Sequence, residues 1–164
     1  MNCSCGKEIT AHEAGDRCLD VLVAQKQGLR VWQIKDGTTV DLVTRLKGGT
    51  PCLKDGYYTC KDIHRFGEPS KLLRNYSEDL NKAMEFAKFV IDTLDDKEIP
   101  FTPEAKLVLN KNRSDCQAWF DWLGEGHYER KNGTKYGLTY YKRDEALAIC
   151  IAGLETLAYI EKMK

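Results

Sequence analysis

Ala146-Leu147-Ala148-Ile149-Cys150-Ile151-Ala152-Gly153-Leu154 is apolar on nearly every side. Leu147, Cys150, Ile151, Leu154, Leu157 and Ala158 recur at spacings of three or four, which predicts a helix from about Asp144 to Met163. Ala146, Ala148, Ile149 and Ala152 widen that stripe until little polar face is left in the first half. Such a helix is covered on more than one side, by other layers of its own chain or by a second subunit, so a homo-oligomer through this last helix is one expectation. The elements before it must supply the layers.

Immediately upstream the period changes from helical to strand-like. Asn132-Gly133 is a hairpin signal between 127–131 and 134–141. Gln117–Leu123 carries Ala118, Trp119, Phe120 and Trp122, and Ala105–Lys111 carries Leu107, Val108 and Leu109; both read as strands. Further back, Leu80, Met84, Ala87, Ile91 and Leu94, flanked by Ala83 and Val90 and widened by Phe86 and Phe89, predict a second helix, with Ser77 as its cap and Asp95-Asp96 and Pro100 at its end. Between 29 and 75 lie short β segments. Leu29–Ile34 and Thr38–Val43 flank Asp36-Gly37, Thr50–Lys54 and Tyr57–Lys61 flank Asp55-Gly56, and Arg65–Asn75 reads as a loop. The first helix is expected from Thr10, with Glu13 completing a capping box, to Gly28 as left-handed cap; Ala14, Cys18, Val21 and Leu22 form its apolar stripe. The pattern implies an α+β domain: a layered helix/antiparallel-sheet/helix sandwich with β-hairpin insertions between the first and second helices. Residues 1–164 read as one domain, with 29–75 a hairpin-rich insertion or flap and 76–164 a helix-sheet-helix half.

The composition is that of a soluble globular chain. It has 164 residues, 25 Lys+Arg against 25 Asp+Glu, and 42% hydrophobic residues. Zero net charge argues against an obligate nucleic-acid coat, whose affinity comes from clustered cations. Neither a membrane-spanning apolar run nor a secretory leader is visible, so a cytoplasmic protein without membrane contact is expected. Seven cysteines, an odd number, fit a reducing compartment better than a disulfide framework.

Three stretches resemble the phage ABA-sandwich domain. They are Ala14-Gly15-Asp16-Arg17-Cys18-Leu19-Asp20-Val21-Leu22-Val23-Ala24, then Tyr76-Ser77-Glu78-Asp79-Leu80-Asn81-Lys82-Ala83-Met84, then Ala146 to Leu154. They occur in that family's order and cover about half the chain, nearly all of it helix. The resemblance implies a small phage or prophage accessory protein acting in the host bacterial cytoplasm. It supplies no catalytic residues.

Candidate sites are few. Residues 127–143 hold Arg130, Lys131, Lys135, Lys142 and Arg143 against one acid, Glu129, interleaved with Tyr128, Tyr136, Tyr140 and Tyr141. Aromatic faces stack on bases and cations neutralise phosphates. Tyr128, Arg130, Lys131, Lys135, Tyr136 and Tyr140, with Trp119 and Trp122 nearby, are the candidate ligand-binding residues. The competing reading puts half the tyrosines in a core and leaves the lysines as edge protection. For metal, Cys52, Cys60 and His64 are the candidates in the middle hairpin, and Cys3-Ser4-Cys5-Gly6 opens the chain. Neither cysteine pair has the spacing of a zinc knuckle. In a two-residue turn Cys52 and Cys60 point to opposite faces, so ordinary thiols compete with a zinc site there. Cys18, Cys116 and Cys150 read as core residues, and His12 as a solvent-facing residue in a helix's first turn. No nucleophile, phosphate-cradling or dinucleotide motif appears, although Asp121, Glu125 and His127 are close enough in sequence to converge. The expected function is therefore non-catalytic: sequestration of a small nucleotide-derived host immune signal, needing no cofactor. The alternative is a zinc-stabilised interaction module that grips a host protein or nucleic acid.

Overall fold

Helix formation along the chain is set by where glycine and aspartate interrupt it. The computed structural model describes residues 3, 5–36, 38–42, 47–49, 56–60, 71–95, 105–111, 115–121, 139–142 and 144–162. The first regular helix, α1, is Arg17–Lys26, so the expected start at Thr10 is corrected: Ile9–Ala11 makes only a 3-10 turn. Gly15 adopts φ +83, a left-handed conformation that ends any helix arriving from Thr10. Asp16 then takes the extended N-cap position. Ala14, expected on the apolar stripe, is exposed, and the buried residues of α1 are Leu19, Asp20, Val21, Val23 and Ala24. At the far end Gly28, φ +75, follows the helix as expected.

Five strands follow from the hairpin region: β1 Arg30–Lys35, β2 Thr38–Asp41, β3 Lys47–Gly49, β4 Gly56–Cys60 and β5 Lys71–Leu72. They form one antiparallel sheet in the order β3-β2-β1-β4-β5. Lys35 stands opposite Thr38, the register expected of the hairpin, with Asp36 at φ +52. β4 returns beside β1, Trp32 facing Tyr58 in register. The insertion therefore builds a sheet of its own. The first arm expected at 50–54 lies outside the described residues, and part of the expected loop, Lys71–Leu72, is a strand.

The second helix, α2, is Leu80–Asp95. Asp79 caps it, accepting from the N–H groups of Asn81 (2.9 Å) and Lys82 (3.3 Å), in place of Ser77. Of the expected apolar face Ala83, Phe86, Ala87, Val90 and Leu94 are buried, whereas Leu80 at 42% and Met84 at 45% are exposed. Asp95, an unfavourable acid in a last turn, accepts from the Ala105 N–H at 3.1 Å, which ties the helix end to the next strand. That strand, β6 (Lys106–Lys111), pairs with β7 (Asp115–Asp121), which pairs with β8 (Thr139–Lys142) in a second antiparallel sheet. Cys116, Ala118 and Phe120 face inward, as the alternation requires.

The last helix, α3, is Glu145–Lys162, capped by Asp144 accepting from Leu147 N–H at 3.0 Å. It packs on α2, β7, β8 and α1, and α1 packs in turn on β1. The nearly all-round apolar first half of α3 is thus covered within one chain. Gly153 marks the closest approach. A Cβ there would stand 2.6 Å from Phe86 Cε1 and 3.2 Å from Val90 Cγ2. At the opposite end Lys26 reaches Glu161 at 2.7 Å, joining the C-terminal turns of α1 and α3.

One buried polar cluster joins α1 to the chain entering α2. Asp20 Oδ1 accepts from the Ser77 N–H (2.9 Å) and the Ser77 hydroxyl (3.1 Å), and Gly15 N–H donates to Ser77 Oγ at 3.1 Å. Arg17 donates to Asp20 Oδ2 at 2.8 Å and spreads over the Leu73 and Arg74 carbonyls and Asn75 Oδ1. Burial pushes the Asp20 carboxyl up, and the Ser77 and Arg17 bonds oppose it. Two substitutions test these contacts by urea unfolding. Asp20→Ala leaves the Ser77 donors and Arg17 without their acceptor and is expected to cost about 3–5 kcal/mol, against about 1–2 kcal/mol for Ser77→Ala. Gly153→Ala is expected to lower stability by about 1–2 kcal/mol because the methyl group overpacks the buried Phe86 ring, despite alanine's higher helix propensity.

Candidate metal centre

The interruption at Gly15 gathers four donor side chains. Cys3 N–H donates to Lys7 O at 2.8 Å and Gly6 N–H to Cys3 O at 2.9 Å, closing a tight turn with Gly6 at φ +86. Ile9 anchors the following 3-10 turn in the core. His12 comes next and is only 2% exposed, which corrects the expectation of a solvent-facing residue. Cys18 sits in the first turn of α1, half-buried with its sulfur 3.6 Å from His12 Nδ1, rather than in the core. Cys5 Sγ is 3.9 Å from His12 Nε2 and Cys3 Sγ is 3.5 Å from the Cys18 carbonyl. One donor atom from each of Cys3, Cys5, His12 and Cys18 lies within 4.8 Å of the other three, and this cluster can hold a metal ion.

The electrostatics of the cluster set its groups apart. Asp16 Oδ2 lies 2.9 Å from His12 Nδ1 and accepts the Glu13 N–H at 3.2 Å. The His12 bond, then the Glu13 bond, hold the Asp16 carboxyl below its usual range. Cys5 is pulled down, first by the hydrogen bond from the Lys7 backbone, while burial and then the Cys5 contact push Cys18 up to about 12. Charge at one thiol thus opposes charge at its neighbour. A divalent cation reverses that balance, since coordination deprotonates a thiol outright. Ligation through His12 Nε2 would leave Nδ1 to Asp16, and a carboxylate in that position orients the ring and fixes its tautomer.

Of the other sequence candidates, few fall among the described residues. Trp119 is half-buried on β7, on the face opposite Phe120. Tyr140 lies in β8 opposite Gln117, and its backbone alone is described. Trp122, Tyr128, Arg130, Lys131, Lys135 and Tyr136 lie outside the described residues, as do Cys52, His64, Glu125 and His127. Cys60 ends β4 opposite Arg30. Cys116 and Cys150 are buried, as expected of core thiols. Among the described residues no helix is long and apolar enough to cross a membrane.

The signal that sequence reasoning missed is the series Cys3, Cys5, His12, Cys18. On one continuous helix His12 and Cys18 stand about 240° apart, so a helix from Thr10 separates the two ligands that Gly15 folds together. No protein-family model matches the sequence, and no match was found among curated proteins or solved structures. The phage ABA-sandwich resemblance therefore rests on its three stretches alone. Their residues Gly15, Arg17, Asp20 and Ser77 meet in the polar cluster described above.

Thiol accessibility checks the arrangement. In metal-free, reduced protein, a maleimide is expected to label Cys5 before Cys116 or Cys150, which burial shields and whose thiols it pushes up. Peptide mapping after brief labelling reads the order, and equal labelling of Cys5 and Cys150 in native protein contradicts the placement.

Proposed function

We propose that the chain is a non-catalytic, zinc-stabilised interaction module. The observation that carries this reading is the convergence of three thiols and a buried imidazole within 4.8 Å, backed by Asp16. Three sulfur donors and one nitrogen suit Zn²⁺, which takes four ligands in a tetrahedron. Four protein ligands leave no open position for water or substrate, so the metal's part is structural. It would staple the segment carrying Cys3 and Cys5 to the first turn of α1. The balanced net charge supports a protein partner over nucleic acid.

Elemental analysis of protein purified under reducing conditions tests the reading. About one zinc per chain is expected, lost in Cys18→Ser and in His12→Ala. A site filled at about a thousand times its dissociation constant contributes about 4 kcal/mol. For a chain of this size that corresponds to a Tm lower by roughly 8–16 °C after chelation. Asp16→Asn keeps the four ligands and is expected to weaken zinc binding about 10–100-fold. Metal-free protein with an unchanged Tm after added zinc overturns the reading. Failure to bind DNA or RNA at any salt concentration leaves a protein partner.

A further inference from the structure

We infer that this site is also a modification site: peroxide joins Cys5 to Cys18 as a disulfide and thereby releases the metal, an inference that rests on the zinc reading above. The four ligands are unequally protected. Cys3 is 6% exposed and His12 is buried, Cys18 is half-buried, and Cys5 is exposed. A small oxidant reaches Cys5 first. The turn that carries it borders open space, since a Cβ built on Gly6 meets nothing within 4 Å. Cys18 is fixed on α1, and the Cys5 and Cys18 sulfurs belong to the set within 4.8 Å of one another. Forming a bond of about 2.05 Å therefore asks Cys5 to move less than about 3 Å. Cys3 is a poorer partner. A single residue separates it from Cys5, its N–H is bonded to Lys7 O and its sulfur to the Cys18 carbonyl.

The chemistry balances with hydrogen peroxide as oxidant. The Cys5 thiolate attacks one peroxide oxygen, the O–O bond breaks, and the departing hydroxide takes a proton to become water. Cys5 is then a sulfenic acid. The Cys18 thiolate attacks the Cys5 sulfur, the S–S bond forms, the S–O bond breaks, and a second hydroxide leaves as water. Two sulfurs lose two electrons in all and the peroxide oxygens gain them. Only Cys3 and His12 remain as donors, too few to hold a tetrahedral ion tightly. The new bond closes the loop between residues 5 and 18, so the segment stays tethered as the metal leaves.

The test uses the full chain loaded with zinc under reducing conditions and then exposed to hydrogen peroxide. A chromogenic indicator follows zinc release, and non-reducing peptide mapping locates cross-links. Expected are zinc release in step with a Cys5–Cys18 link, a free Cys3 thiol, unmodified Cys116 and Cys150, and recovery of binding after a phosphine reductant and fresh zinc. Retention of zinc with no such link overturns the inference and leaves the zinc reading standing. So does release accompanied by a Cys3 link or by sulfinic acid at Cys5 alone. A chain that never carries zinc overturns the zinc reading, and with it the coupling of oxidation to release. In metal-free chain, peroxide is expected to pair Cys5 with Cys18 in the wild type and to form no such cross-link in Cys5→Ser; a wild-type chain in which the two fail to pair overturns the inference.

Discussion

A carboxylate held away from water, Asp20, is the constraint on which the arrangement of the N-terminal half depends. Its two oxygens are divided between the Ser77 donors and the Arg17 guanidinium. Arg17 in turn satisfies the Leu73 and Arg74 carbonyls, groups that belong to no helix or strand. Losing either partner strands a charge inside the protein, which costs more than the pair contributes when intact. The cluster therefore acts chiefly on geometry. It holds the start of α1 against the turn before α2, and through Gly15 it fixes where the chain from Cys3 to Asp16 must run. Donor atoms for a metal converge only because that path is fixed.

The apolar framework was legible because periodicity reports it directly. The stripe Leu147, Cys150, Ile151, Leu154 located α3 to within a residue at each end, and Asp36-Gly37 located its hairpin. Where two signals competed, the sequence misled. Thr10 and Glu13 have capping-box spacing, but Gly15 has the freedom to turn left-handed, and the turn prevails because Ser77 accepts its N–H. Ser77 likewise has the look of a helix cap, and its hydroxyl is claimed instead by a carboxylate 57 residues away. Local pattern carries no information about such distant partners.

The candidate site was hidden by the same error. Reading residues 10–28 as one helix placed Cys18 in a core and His12 in solvent, whereas one is half-buried and the other fully enclosed. The spacing from Cys3 to Cys18 fits no familiar knuckle, so only the folded path reveals it. Leu80 and Met84 show the converse limit. Helical period predicted the apolar face, and the part of it that is buried is the arc of Ala83, Phe86, Ala87 and Val90, where the small residue Gly153 lets the two helices approach.

The placement of α3 bears on how the molecule is assembled during translation. It follows in sequence every element it covers, namely α1, α2, β7 and β8. Until residues 145–162 emerge from the ribosome, the greasy sides of those earlier elements have no lid. The nascent chain is then most exposed to aggregation and to chaperones, and its core closes in a late step governed by the arrival of one helix.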